Sequence, residues 1–269
     1  MTTAPAIPDA PFNRPRHEGT GYLKLLRRLH ALKRPRSYLE IGTAAGKTLA
    51  MARCASIAID PRFRLQRDVR QGKAAGNTGG KPACRLFEMT SDAFFAAQDP
   101  TALFGGPIDL AFIDGMHHFE FALRDFMNIE PHCRPDSLIV LHDCLPVDAH
   151  MARRDPRDRS RAADTHYPNA WAGDTWKALW ILQRYRPDLR IFAFDAPPSG
   201  LVVVTNLDPG STLLKQRYHD VIDAADAIDL AGFYAGFEVL PTAALRRPSW
   251  LWSLLRPRRF DFSTHLAPS

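Results

Sequence analysis

Residues 37–60 read SYLEIGTAAGKTLAMARCASIAID, and the order of apolar and small residues in them decides the fold class. Ser37 to Gly42 is a short apolar run closed by a turn, the pattern of a buried strand. Lys47 to Arg53 reads as a helix, and Ser56 to Asp60 is a second apolar run ending in an acid. Strand, tight turn, helix and strand make a βαβ unit with parallel strands. The turn itself is Glu40-Ile41-Gly42-Thr43-Ala44-Ala45-Gly46, and its two glycines allow a close approach of backbone that other residues forbid.

Working outward, Leu23 to Leu32 repeats apolar residues at helical spacing until the KRPR at 33–36 stops it. Gln71 to Lys81 is a Gly-rich surface loop, and Arg85 to Met89 a short strand followed by a helix over Asp92 to Ala97. Ile108 to Asp114 and Ser137 to Asp143 are apolar strands that each end in an acid, with a helix over Phe119 to Ile129 between them. An Arg- and Asp-rich loop from Ala152 to Asp164 leads to a helix over Thr175 to Tyr185. Strands at Leu189 to Phe194 and Leu201 to Thr205 close the series around a DAPPSG turn. The alternation predicts an α/β, doubly wound, Rossmann-like sheet of seven mostly parallel strands with one antiparallel strand at its edge. Residues 1–36 form an N-terminal arm and helix, 37–207 the sheet domain, and 208–269 a helical C-terminal extension with a Trp/Arg-rich tail.

Composition narrows the class. The 269 residues are 45% hydrophobic and 24% charged, near the average of soluble globular chains. Cys54, Cys84, Cys133 and Cys144 stand far apart with no C-x-x-C pair, which excludes a zinc ribbon or disulfide framework and fits reduced thiols in a cytoplasm. The N-terminus lacks an apolar signal core, and no stretch approaches the roughly 18 apolar residues of a membrane span. The net charge of +6 gathers in Arg153 to Arg161 and Arg246 to Arg259. Without a basic stripe interleaved with stacking aromatics, nucleic acid is disfavoured as a partner. Trp250, Trp252, Leu254 and Leu255 amid arginines suit burial against the domain, an anionic membrane surface or a protein partner. The sequence carries no sign of oligomeric state.

In doubly wound sheets ligands bind beyond the carboxyl ends of strands, near the point where strand order reverses. The turn at 40–46 differs from the dinucleotide G-x-G-x-x-G, and Ile41 stands where a P-loop needs its first glycine. Asp60, at the end of the second strand, can accept hydrogen bonds from both hydroxyls of a ribose.

The E-x-G-x-x-x-G turn with Asp60 resembles the class I S-adenosylmethionine-dependent methyltransferases. Phe112-Ile113-Asp114-Gly115-Met116-His117-His118, a helix with Asp125, Leu141-His142-Asp143 and Gly173-Asp174-Thr175-Trp176-Lys177 resemble a small-molecule O-methyltransferase branch. That branch includes macrocin-type and cephalosporin-hydroxylase-like proteins and catechol-type relatives, and the likeness runs from about Ser37 to Thr205. It implies that Glu40, Gly42, Thr43 and Gly46 surround the methionine part of the cofactor and Asp60 holds its ribose. Ser91 and Asp92 then lie near the adenine, with Asp114 beside the cofactor. It further implies Asp114 and Asp143 as ligands of Mg²⁺, with His117 taking a proton from an acceptor hydroxyl. Cys144 departs from relatives that place a second acid beside Asp143.

Plainer roles stand beside these. Asp114 or His118 suits a helix cap, His142 a structural strand end, and Trp171 and Trp176 either core or an acceptor pocket. His150 and His166 follow no pattern. The five arginines between Met151 and Asp164 suit an anionic acceptor or a solvated charge run. The resemblance implies methyl transfer to a small or medium-sized acceptor. A cephalosporin-hydroxylase-like oxidoreductase and a non-catalytic nucleoside-binding scaffold that docks a partner are the alternatives.

Overall fold

A computed structural model describes residues 12–66, 69, 83–236 and 238–246. Its strands are β1 (Ser37–Ile41), β2 (Ala55–Ile59), β3 (Cys84–Phe87), β4 (Ile108–Ile113), β5 (Cys133–His142), β6 (Arg190–Phe194) and β7 (Leu201–Thr205). They form one seven-stranded sheet in the order β3-β2-β1-β4-β5-β7-β6. β1 lies parallel between β2 and β4, with Leu39 opposite Ile57 on one side and Ala111 on the other. The chain therefore winds one way through β2 and β3 and the other way through β4 and β5. The crevice expected at such a reversal opens over the carboxyl ends of β1 and β4.

The antiparallel strand stands one place in from the edge. β7 runs antiparallel to both β5 and β6, and β6 is outermost. Burial explains the order: β7 (LVVVT) is buried at every residue, whereas β6 begins with three half-buried ones. The more apolar strand takes the covered position.

The helices are α1 (Tyr22–Lys33), α2 (Ser91–Ala97), α3 (Pro100–Phe104), α4 (Phe119–Ile129), α5 (Trp176–Tyr185), α6 (Leu213–Gln216), α7 (Tyr218–Asp226) and α8 (Leu230–Ala235). The helix expected over Lys47 to Arg53 is only a short 3-10 turn at Leu49–Met51. The stretch from Gly46 to the start of β2 is too short for a helix and its return. α3 was not foreseen, although its start is conventional: Pro100 opens the helix, and Asp99 accepts the Thr101 N–H at 2.8 Å. The loop expected over Gln71 to Lys81 and the Trp/Arg-rich tail lie outside the described residues.

Alternate side chains of the sheet feed two cores. Leu39, Ile57, Ala111, Ile139 and Val202 pack with Phe126 of α4, Leu179 of α5, Val221 of α7 and Phe233 of α8. Tyr38, Ala58, Phe112, Val140 and Val203 face the other way, onto Leu25, Leu26 and Leu29 of α1. Ionic groups inside are paired: Arg186 forks onto Glu130 at 2.7 and 2.8 Å, and Asp109 receives Arg36 and Arg134.

Glu40 differs, because no cation meets it. It is wholly buried in β1, where the Tyr38 hydroxyl donates to Oε2 at 2.5 Å. Burial pushes its carboxyl up to about 7, against the opposing pull of the Tyr38, Thr43 and Thr48 hydroxyls. The folded chain thus keeps a proton that the unfolded chain releases. Stability is expected to fall as pH rises from 4.5 to about 7, then to level off. Melting temperatures across that window should fall less steeply in Glu40→Gln than in the wild type; equal slopes would refute the assignment.

Candidate active site

A cleft of about 640 Å³ opens over the carboxyl ends of β1, β2, β4 and β5, within the size range of small-molecule sites. Of the residues singled out in the sequence, Gly42, Asp60, Ser91, Asp92, Asp114, His117 and Asp143 line it. Glu40, Thr43 and Gly46 do not. Glu40 and Thr43 are buried behind the turn, and a Cβ on Gly46 would strike Val69 at 2.7 Å rather than enter the cleft.

The turn is fixed from two sides. Gly42 takes φ +83°, and a Cβ there would lie 1.9 Å from the carbonyl oxygen of Asp114, so only glycine fits between the ends of β1 and β4. Asp60 holds the other side: Oδ2 accepts the Ala44 N–H at 2.7 Å, and Oδ1 accepts the Arg62 N–H at 2.8 Å. Ser91 and Asp92 open α2 at the far end of the cleft. There the Asp92 carboxylate is clasped by Arg124 at 3.2 and 2.8 Å.

At the near end four ionisable groups meet. His117 Nε2 lies 3.2 Å from Asp143 Oδ2 and 3.7 Å from Asp114 Oδ1. His142 Nδ1 sits between the same carboxylates, 3.1 Å from Asp114 and 3.0 Å from Asp143. Burial alone would raise Asp114, but the neighbouring His142 and His117 hold it well below the usual carboxylate range. Burial would likewise lower both imidazoles, yet the carboxylates push His117 up to about 9 and raise His142 well above its ordinary value. At neutral pH His117 therefore carries its proton before any acceptor arrives. One ligand atom each from Asp114, His117 and Asp143 fall within 4.8 Å of one another, a spacing that could hold a metal ion.

Distant backbone aims these groups. His117 Nδ1 faces the Trp171 carbonyl at 2.8 Å, which makes Nδ1 the donor and leaves Nε2 for the cleft. The Trp171 ring stacks on the imidazole with centroids 4.7 Å apart. Gly173, at φ +62°, passes so close to His117 that a Cβ would lie 1.8 Å from its carbonyl oxygen. Asp174 accepts the Phe119 N–H at 3.0 Å, capping α4 from across the chain. Neither Asp114 nor His118 performs that capping. The Thr175 hydroxyl donates to the Asp143 carbonyl, and Ser199 donates to its Oδ1.

His142 is the site residue that its place at a strand end concealed; the L-H-D run was its signal. It lines the cleft, and the Tyr22 ring of α1 lies 4.0 Å from its own. Cys144 is fully buried in the core, so it takes no part in the cleft. Trp176 is core as well. Arg153 donates to the carbonyls of His150 and Ala170 at 2.5 and 2.9 Å, while Arg154 bridges Asp174 and Glu120 at 2.5 and 2.7 Å. These two arginines brace the loop and do not face an acceptor. Arg157, Arg159 and Arg161 are exposed.

Comparison with known proteins gives one family. Residues 39–144 match the family model Methyltransf_24, described as a methyltransferase domain. Solved structures that resemble the chain include the O-methyltransferase TomG from Streptomyces achromogenes in complex with S-adenosylmethionine, at 16% identity and TM-score 0.46 over 68% of this chain and 78% of that one. They also include an O-methyltransferase from Bacillus cereus with S-adenosylhomocysteine, at 14% identity and TM-score 0.45 over 72% and 84% of the two chains. A third is the methyltransferase PaMTH1 from Podospora anserina, at 14% identity and TM-score 0.47 over 70% and 78%. These likenesses are too distant to bring their ligands or reactions over to this chain. No curated protein matches it. Among the described residues no helix is long and apolar enough to cross a membrane. The family match over residues 39–144 and the 3-2-1-4-5-7-6 strand order agree: that stretch is similar to a methyltransferase domain, and the order is the one typical of class I methyltransferases.

Proposed function

We propose that the protein transfers the sulfonium methyl of S-adenosylmethionine to an oxygen of a small or medium-sized acceptor held beside Asp114, His117 and Asp143. The observation that carries this reading is His117 Nε2. Its tautomer is set by the Trp171 carbonyl, and it stands among two carboxylates at one end of a cleft whose other wall is Asp60. In the reaction the acceptor oxygen attacks the methyl carbon as the carbon–sulfur bond breaks, leaving neutral S-adenosylhomocysteine. The resting proton on Nε2 of His117 first leaves to solvent water, and the hydroxyl proton then passes to that freed nitrogen. Holding both reactants in one concave site supplies the alignment that in-line displacement requires.

The cofactor's orientation follows from the far wall. A carboxylate offers about four lone-pair positions, and backbone N–H groups engage only two of those on Asp60. The remaining two suit the paired hydroxyls of a ribose. The turn after Gly42 then receives the methionine part, with Glu40, Thr43 and Gly46 supporting it from behind. Ser91 and Asp92 lie toward the adenine.

The donor chemistry at the near end fits a hard divalent cation, since Asp114 and Asp143 converge from adjacent strand ends. These two carboxylates would hold Mg²⁺, which when bound would lower the pKa of an acceptor hydroxyl. The preference of Mg²⁺ for oxygen leaves His117 for the proton.

Three outcomes test the reading. Asp60→Ala should weaken S-adenosylhomocysteine binding about tenfold or more by calorimetry, the scale of a lost charge-assisted hydrogen bond, and an unchanged Kd removes the ribose assignment. His117→Ala should cost about a hundredfold or more in kcat with cofactor affinity intact, whereas full turnover in this variant removes it as the base. Turnover of the wild type should fall in chelator and recover with Mg²⁺, a response lost in Asp143→Asn; indifference of the wild type to chelator ends the metal's part.

A further inference from the structure

Asp125 is a carboxylate to which neither the fold nor the proposed reaction gives a task. It lies on α4, is 3% exposed, and nonetheless lines the cleft. Its Oδ1 is buried without a hydrogen-bond partner among the described residues. Its other oxygen faces Gly115, where a Cβ would come within 3.7 Å of it. An orphaned buried carboxylate oxygen is costly and calls for a donor that the free chain does not supply.

The position of the atom selects the donor. Asp125 lines the same cleft as Asp60, Ser91 and Phe121, and the Ser91 hydroxyl hydrogen-bonds to its carboxyl. On the cofactor reading above Ser91 stands toward the base, and Asp125 stands beside Ser91. Beyond the ribose the cofactor has one N–H donor, the exocyclic amino group of adenine. Asp92, the nearer acid in sequence, already has both oxygens on Arg124.

We infer that Oδ1 of Asp125 accepts a hydrogen bond from the exocyclic amino group of the cofactor's adenine, making α4 rather than the start of α2 the reader of the base. This assignment rests on the cofactor reading above. Burial and the neighbouring Asp92 push the carboxyl up to about 7, against the opposing pull of the Ser91 hydroxyl and Arg124.

The test compares S-adenosylhomocysteine with its purine analogue, in which hydrogen replaces the amino group, by calorimetry on the full chain. The wild type should bind the adenine form about tenfold or more tighter, since the analogue leaves Oδ1 unpaired. Asp125→Ala and Asp125→Val, both read so that a folding failure in one leaves the other, should bind the two ligands alike. Asp92→Ala should keep the wild-type preference. Equal binding of both ligands by the wild type, or a preference that survives in a folded Asp125 variant, overturns the assignment while sparing the cofactor reading. Failure of the wild type to bind S-adenosylhomocysteine at all overturns both.

Discussion

Between the carboxyl ends of β1 and β4 there is no room for a side chain. Gly42 turns there through a left-handed conformation, with the Asp114 carbonyl where its Cβ would be. Backbone hydrogen bonds fix the end of β1 on both sides there, from Gly42 N–H to Ile59 of β2 and from Asp114 N–H, just past β4, to Ile41. They thereby decide where the turn to Gly46 goes and where the Asp114 side chain emerges. Asp60 then fastens Ala44 from the neighbouring strand, so three successive parallel strands share the definition of one cleft wall. Side chains so held need little reorganisation on binding, which is the basis of preorganised recognition.

The opposite wall is an electrostatic construction. Two carboxylates and two imidazoles lie within hydrogen-bonding reach, each altering the others' proton affinity. Asp143 sits at φ +58°, a conformation unusual for a non-glycine residue. Thr175 and Ser199 brace it, one at its carbonyl and the other at its carboxylate. Strain held by surrounding contacts is often found where side chains are aimed for function.

What was legible in the sequence was what repeats locally. β1, β4, β7 and the second half of β5 are buried throughout, so they read as apolar runs, and α4 and α5 as amphipathic ones. The acids at strand ends were visible for the same reason. The place of β7 inside β6 was not, because pairing between distant strands leaves no local period. The helix after Gly46 failed because chain length overrode its apolar spacing. His142 and Asp125 were visible as parts of motifs but not as cleft residues: a histidine at a strand end and an acid within a helix meet carboxylates or an empty cleft only once the chain has folded. The arginines at 153 and 154 looked available for a ligand, and only tertiary contacts reveal that carbonyls and acids of the same loop occupy them.

The segment Gly173-Asp174-Thr175 touches His117 and Asp143 together, and it ends the long loop that begins after β5. The loop's anchored ends and its exposed middle therefore differ in what a substitution would disturb. Replacement at Gly173 would displace the histidine, whereas residues 155–161 stand in solvent. Substitution in that middle stretch leaves the contacts that aim His117 and Asp143 in place.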